Sequence, residues 1–553
     1  SFFPEDHEAF NTESGYFHDT THGWAFKDGD VITLLTGPKA SVSISLCKYG
    51  YGTNIIVTDA KGNKVATVPA KSTSDTDGEV VAFNYEGDPG LLTLTFEASG
   101  ELYIHSVKII NNAEVNYQTE GQWYFVKPGD AGSLIDVIEA VNAANADKGA
   151  ERAFIYVPNG TYDLRDIVLT NLSGHNVSLI GESMEGTVIR NAPHYSEEGI
   201  NKTATLMNTG TNLYMQDLTI QNALEYYDAQ DAGLAGGRAV AFWDKGINTA
   251  AKNVTLLSYQ DTYYSNNVNG TYYWETSDIH GTVDFFCGEG TMYMTNSTIT
   301  VEKRKKDGSG ECTITAPATK AGNKYGYVFD HCTIVNHAAK FNYGRAWSNE
   351  PRCAYLYTTH TDAALNSNRW TADGMNVAAK EFVEYKSMDK DGKTISPDSH
   401  VMTFVKNDNK NQMETILSDE QASEFTLDKV FPDWNPAELC KQAEAPAAVL
   451  NDGMITWEPV EGALAYAIYK EGELAALVTE GTSFAAGDDK AKWSIRSANP
   501  QGGLGTPSTV ASSGVESVAS DDESSVIYDL NGMPVSETVK GKIYIQNGKK
   551  IVK

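Results

Sequence analysis

Three residues whose types could do chemistry share one interval. Arg238 in "GGRAVAFW", Asp261 in "LLSYQDTYYS" and Asp284 in "HGTVDFFCGEG" each lie 23 residues from the next. If one turn of a repetitive β-structure takes about 23 residues, all three project from equivalent places on adjacent strands, roughly 4.8 Å apart. Two carboxylates that close do not both ionise easily. One pKa rises while a cation holds the other down, so an acid and a nucleophile coexist at one pH. Gln260 precedes Asp261 and offers an amide donor, while Asp284 sits between Val283 and Phe285. A carboxylate in such apolar company is costly unless it is paired. A lone Asp commonly serves only a turn; the even interval is what sets these two apart.

The elements that must position them have a common grammar. "NVSLIGES", "LYMQDLTIQNA", "AKNVTLLSYQD", "YYWETSDIHGTVD", "MYMTNSTITVE" and "YVFDHCTIVNH" mostly join an apolar strand, a polar bend such as Gln216-Asp217 or Thr295-Asn296, and a second β-branched strand. Self-similarity at about 20 to 25 residues predicts a solenoid, here a right-handed parallel β-helix over residues 118–440. Cys312, Cys332 and Cys353 fall at similar spacing and are expected to stack as a ladder of buried thiols, with a disulfide between coils as the alternative. Ahead of the solenoid, "SLIDVIEAVNAANA" puts Leu134, Val137, Ile138 and Val141 on one helical face, with Ser133 as N-cap.

The flanks read differently. Residues 1–117 alternate apolar and polar positions in short runs broken by Asp-Gly and Asp-Pro-Gly, which predicts an antiparallel β-sandwich. Trp24, Phe26 and Tyr51 are there either to stack on sugar or, as most aromatics in β-rich domains do, to fill the core. Residues 441–512, with Trp457 and Trp493, resemble a fibronectin type III module. Residues 513–553 comprise the rest of the Ser- and Asp-rich linker "SSGVESVASDDESS" and a β-module with Asn-Gly turns at 531–532 and 547–548. This last piece resembles the C-terminal sorting modules of secreted proteins from Bacteroidetes-like bacteria. The predicted class is therefore all-β.

Composition narrows the chemistry. The chain has 553 residues and a net charge of −30, which disfavours a nucleic-acid partner because binding phosphates needs a basic surface. No run of about 18 apolar residues exists to span a membrane. The opening "SFFPEDHEAF" shows neither an initiator Met nor a signal peptide, the mark of a processed or trimmed chain. The six cysteines form no CxxC pair and the eleven histidines no HExxH, so neither a metal nor any other cofactor is expected. GxSxG is missing as well, which argues against a serine hydrolase.

In order, "GTYDLRD", "GRAVAF", "YQDTYY", "GTVDFFCG" and "YGRAW" closely resemble the pectin methylesterase family of carbohydrate esterases over roughly residues 122–437. That resemblance implies the removal of C6 methyl esters from galacturonate residues of pectin, releasing methanol. It implies Asp284 as nucleophile, Asp261 as general acid and then base, and Gln260 as donor to the oxyanion. Arg345 would hold Asp284 ionised. Trp347 and Tyr264, together with Phe285, would contact the sugar. Three departures stand out: Arg238 replaces the glutamine that opens "QAVAL", Cys287 replaces the second Phe of "DFIFG", and "GRPW" becomes "GRAW". Arginine still donates hydrogen bonds, so Arg238 is kept as an oxyanion donor, although its fixed charge bears on both carboxylates.

The expected protein is a secreted, periplasmic or cell-surface monomer acting on pectin. Two rivals are a weakly catalytic polygalacturonan-binding protein and a β-helical glycosidase, which has no role for Gln260 or Arg345. Lys303, Arg304, Lys305 and Lys306 in "EKRKKDGSG" form a loop that is either simply solvated or receives free carboxylates of partly de-esterified pectin.

Overall fold

The computed structural model describes residues 10–512 apart from 12–14, 20–21, 38, 50–52, 71–78, 88–89, 112–115, 165–169, 195–198, 234–236, 363, 366–368, 373–374, 407–408 and 488–489. Beyond these it describes 527–529, 534–535, 538–540, 542–546 and 549–552. Two compact units result, Ser1–Lys441 and Gln442–Lys553.

In the first unit, alternation of buried and solvent-facing residues builds a sandwich of two five-stranded antiparallel sheets. The strand Thr53–Thr58 alternates strictly, as a half-buried strand must. Phe26 lies inside, its ring stacked on Phe96 at 4.6 Å, and Trp24 packs against the same core. These two aromatics therefore serve packing rather than a sugar platform; Tyr51 lies outside the described residues.

Tyr117–Glu120 pairs antiparallel with Trp123–Val126, and from Trp123 onward the strands run parallel. One sheet of eighteen strands extends to Met388–Asp389, and a second of seven comprises Thr170–Leu172, Leu206–Asn208, Phe242–Asp244, Tyr263–Ser265, Val283–Gly288, Glu311–Pro317 and Lys340–Gly344. This is a parallel β-helix. Its coils bend where the sequence places a residue able to adopt left-handed backbone. Asp217, Asn253, Thr276, Asn296 and His331 all have φ between 47° and 57°, and the short polar side chains among them hydrogen-bond locally to hold that conformation. Asn253 Nδ2 donates to Asp217 Oδ1 at 3.0 Å and Thr276 Oγ1 donates to Asn253 Oδ1 at 2.6 Å, so the bends are tied coil to coil. Inside, aromatic rings stack along the axis, Phe329 on Tyr355 at 4.6 Å and Trp370 on Phe382 at 4.5 Å.

The coils are less uniform than the sequence repeat. Thr249 pairs with Tyr272, Thr271 with Thr291 and Met292 with Tyr327, advances of 23, 20 and 35 residues. The longest of these three accommodates the loop carrying Lys303–Lys306. Unequal coils also undo the cysteine ladder. Cys312 lies opposite Phe341 in the seven-stranded sheet, Cys353 lies opposite Tyr327 in the other, and Cys332 precedes the strand Thr333–Asn336. All six cysteines are buried free thiols.

The helix Ala131–Ala144 buries Leu134, Val137, Ile138 and Val141 as its pattern requires. Its N-cap is Asp130, not Ser133: the Asp130 carboxylate accepts from the Ser133 N–H at 3.0 Å. Ser133 is inside the first turn, where its hydroxyl donates to the Asn116 carbonyl and accepts from the Lys127 N–H.

The second unit contains two four-stranded sheets enclosing Trp457 and Trp493 and a separate four-stranded sheet from residues 527–552. Both Asn-Gly turns, and the linker from residue 513, fall outside the described residues.

Candidate active site

The seven-stranded sheet positions the chemistry. Gln260 bridges in parallel to Val283, which sets Asp261 level with Asp284 on the next coil. The Asp261 N–H donates to the Val283 carbonyl at 3.1 Å. The two residues are therefore level on adjacent coils, as their spacing predicts. Arg238 is displaced by one residue: it bridges to Gln260, not to Asp261. The lower strand takes one residue more than the upper to reach the next pairing, Phe242 with Tyr263. Arg238 and Gln260 thus form one row of donors beside the row of acids.

Backbone irregularity aims the acids. Val283 pairs with Thr313 and Phe286 with Thr315, so a β-bulge falls at Asp284-Phe285. Without it Asp284 would share the face of Phe286, which is fully buried in the coil interior; the extra residue redirects it. Both acids have left-handed backbone, φ 58° at Asp261 and 52° at Asp284, a conformation uncommon outside Gly and concentrated at functional sites. The same bulge turns Phe285 inward. It is 0% exposed, packed in the solenoid core, and its side chain is out of reach of a sugar. Its assignment as a substrate contact is corrected accordingly.

Asp284 is clamped from the side. Arg345 donates from Nε to Oδ1 at 2.9 Å and from Nη2 to Oδ2 at 2.5 Å, a bidentate pair. Burial raises the Asp284 carboxyl above the ordinary carboxylate range, and the Arg345 hydrogen bond and charge, and then the charge of Arg304, lessen that rise without cancelling it. Arg345 is itself held more firmly protonated: burial opposes this, but Asp284 and then Asp261 outweigh it. Asp261 is 5% exposed. The Gln260 side-chain oxygen is buried with no hydrogen-bond partner among the described residues.

Beside the acids runs an apolar row. Met207, Trp243, Tyr264, Cys287 and Ala316 occupy successive strands of the sheet in register. Trp243 stacks on Tyr264 at 5.7 Å, Trp347 tilts against Tyr264 at 6.1 Å, and Lys245 Nζ lies 5.0 Å over the Trp243 ring. Cys287 fills this row. Burial, and after it the charges of Asp261 and Asp284, push its thiol well above the usual range, so it stays a neutral packing group. Trp243 escaped the sequence reading, although it stands 21 residues before Tyr264, close to one coil.

The basic run has two fates. Lys306 pairs with Asp228 and Asp231, each at 2.9 Å, on the helix Tyr226–Asp231. Arg304 leans over the Tyr226 ring with its guanidinium donating to the Tyr226 hydroxyl, and Tyr226 stacks on Tyr259 at 4.6 Å. The loop is folded down by these partners rather than merely solvated.

The fold and the site together define a β-helical protein with two level aspartates, a guanidinium counter-ion and a row of packed aromatic side chains beside them. The family model described as Pectinesterase matches residues 125–433. The chain belongs to the pectinesterase family. It is 27% identical over 322 residues to Pectinesterase A of Dickeya dadantii, covering 53% of this chain and 86% of that protein. To Pectinesterase 2 of Citrus sinensis it is 25% identical, covering 58% of this chain and 60% of that protein. Among solved structures, a pectin methylesterase from Erwinia chrysanthemi aligns at 25% identity with a TM-score of 0.43, over 54% of this chain and 93% of that one. Among the described residues no helix is long and apolar enough to cross a membrane.

Proposed function

We propose that this pectinesterase hydrolyses C6 methyl esters of galacturonate residues in pectin through Asp284 as nucleophile and Asp261 as general acid and base. The observation that carries the assignment is the bidentate grip of the Arg345 guanidinium on Asp284, with Asp261 level with it on the neighbouring coil. A group held ionised at 2.9 and 2.5 Å by Arg345 is the one to attack.

Asp284 Oδ adds to the ester carbonyl carbon, and the resulting oxyanion takes hydrogen bonds from the Gln260 amide and the Arg238 guanidinium. Protonated Asp261 gives its proton to the departing methoxide, methanol leaves, and an anhydride joins Asp284 to the substrate. Asp261, now a carboxylate, takes a proton from water, whose oxygen attacks the substrate carbonyl and frees Asp284. Trp347, Trp243 and Tyr264 offer the sugar its apolar platform. A polymeric wall substrate places this work outside the cytoplasm. The glycosidase alternative accounts for two carboxylates but assigns no role to Gln260 or Arg345.

The experiment is one incubation with highly methylated pectin in which methanol, acetate and reducing ends are assayed together. Methanol alone supports the reading. Reducing ends without methanol would replace it with chain cleavage, and none of the three with a binding protein.

A further inference from the structure

The amino-terminal sandwich carries a cluster that the ester site does not use. His18, Asp19 and His22 each offer one ligand atom, and these atoms lie within 4.8 Å of one another. Asp19 Oδ2 is 2.8 Å from His22 Nδ1 and 3.5 Å from His18 Nε2. Donors bound tetrahedrally to a zinc-like ion at about 2.0–2.2 Å stand roughly 3.3–3.6 Å apart. Small side-chain adjustments bring these three to that spacing.

The backbone explains why sequence neighbours converge. His18 and Asp19 end the strand Tyr16–Asp19, which pairs with Gly23–Phe26. Phe17 faces Trp24 and Asp19 faces Gly23, so His18 is the extra residue of a bulge. In a regular strand positions 18 and 19 point to opposite faces; a bulge re-aims one of them. On the far side of the turn His22 is held by its own N–H, which donates to Asp19 Oδ1 at 2.7 Å. It is followed by Gly23 at φ +82°, where a Cβ would meet the Ile104 carbonyl at 2.2 Å. Tyr103 packs against both imidazoles, with centroids 5.1 and 5.3 Å away, and its hydroxyl is anchored on Glu101 at 2.8 Å. The rings are thus oriented from behind, while the His18 and Asp19 side chains are 36% and 43% exposed. The open side can take water or another ligand.

We propose that His18, Asp19 and His22 bind one divalent transition-metal ion of the zinc class, clipping the turn between these two strands. Two imidazoles and a carboxylate suit such an ion; calcium and magnesium prefer all-oxygen sets.

The test titrates chelator-stripped, full-length protein with Co²⁺ and then Zn²⁺, following visible absorption and stoichiometry. One Co²⁺ per chain is expected, with the bands of a four-coordinate nitrogen and oxygen site that Zn²⁺ abolishes. His18→Ala, Asp19→Asn and His22→Ala should each weaken Zn²⁺ binding by at least ~100-fold, a loss no smaller than that of an outer-shell partner. His18 is exposed, so its variant tests the site even where the others perturb the turn; circular dichroism matching the parent verifies the fold. Failure of the parent to bind, or equal binding by parent and His18→Ala, would overturn the proposal. Methanol release is not the readout, so failure here leaves the esterase assignment untouched.

Discussion

Replacing Arg345 by methionine tests how the nucleophile is kept ionised. Asp284 is 5% exposed and takes both of its charge-assisted hydrogen bonds from one guanidinium. Breaking a buried pair of this kind costs about 3–5 kcal/mol, and the lower end applies because the Arg345 side chain is 31% exposed. At 1.36 kcal/mol per pKa unit, losing about 3 kcal/mol of carboxylate stabilisation raises the Asp284 pKa by about 2 units. The sign follows from burial, which already drives this carboxyl upward and is opposed chiefly by Arg345. Methanol release measured from pH 4 to 10 should therefore show the acid limb of kcat/KM moved up by about 2 units, a loss that reaches about 100-fold only below the parent's own limb and fades as pH rises through the shifted one. Arg345→Lys keeps the charge but not the fork and should fall between the two. An Arg345→Met enzyme with the parent's acid limb would refute the reasoning, whatever its absolute rate.

Arg238→Ala should lower kcat by about 100-fold with little change in KM, and Arg238→Gln should restore much of it, if Arg238 shares the oxyanion with Gln260; unchanged kinetics on high- and low-methyl pectin would remove it from the site. Burial alone would lower the pKa of His280, but hydrogen bonds to Asp278 and Glu302 override it and lift the group to about 9. A raised histidine stabilises below its unfolded value and loses that contribution as pH rises through 9, so the Tm gap between parent and His280→Gln should be widest near pH 6 and close by pH 10; a gap constant with pH would contradict this. Arg369 donates to Glu384 at 2.9 Å with both side chains 5% exposed or less. Arg369→Met should destabilise the first unit by about 3–5 kcal/mol in denaturant titration, and a midpoint equal to the parent's would show the pair to be dispensable.

Much of this was legible in the chain, and the exceptions share a cause. The polar bends Asp217 and Asn296 are left-handed corners in the structure, because Asp and Asn tolerate that backbone and mark it in the sequence. Spacing also set Asp261 level with Asp284, since the Gln260–Val283 bridge just ahead of the strand Tyr263–Ser265 continues the register of one sheet. Spacing failed wherever the chain departs from regular geometry. Arg238 misses its place by one residue because its strand carries an extra one, and Phe285 faces the core because the bulge beside Asp284 puts two consecutive phenylalanines inside. The cysteine ladder fails for a related reason: intervals of 20 and 21 residues do not align side chains when coils there advance by 35 and 26. Asp130 displaced Ser133 as helix cap because a hydroxyl within the first turn found partners at Asn116 and Lys127 instead. Trp243 was visible as a residue but not as a platform, since only strand register sets it beside Tyr264.

The central claim is that Asp284 attacks the ester. Its most direct test is initial-rate methanol release by Asp284→Asn on highly methylated pectin, at the parent's optimum and with matched thermal unfolding. The amide is close in shape but a far weaker nucleophile, so the rate should fall by at least ~10⁴-fold, the scale seen when a nucleophile is removed. A folded Asp284→Asn enzyme releasing methanol within ten-fold of the parent would contradict the account.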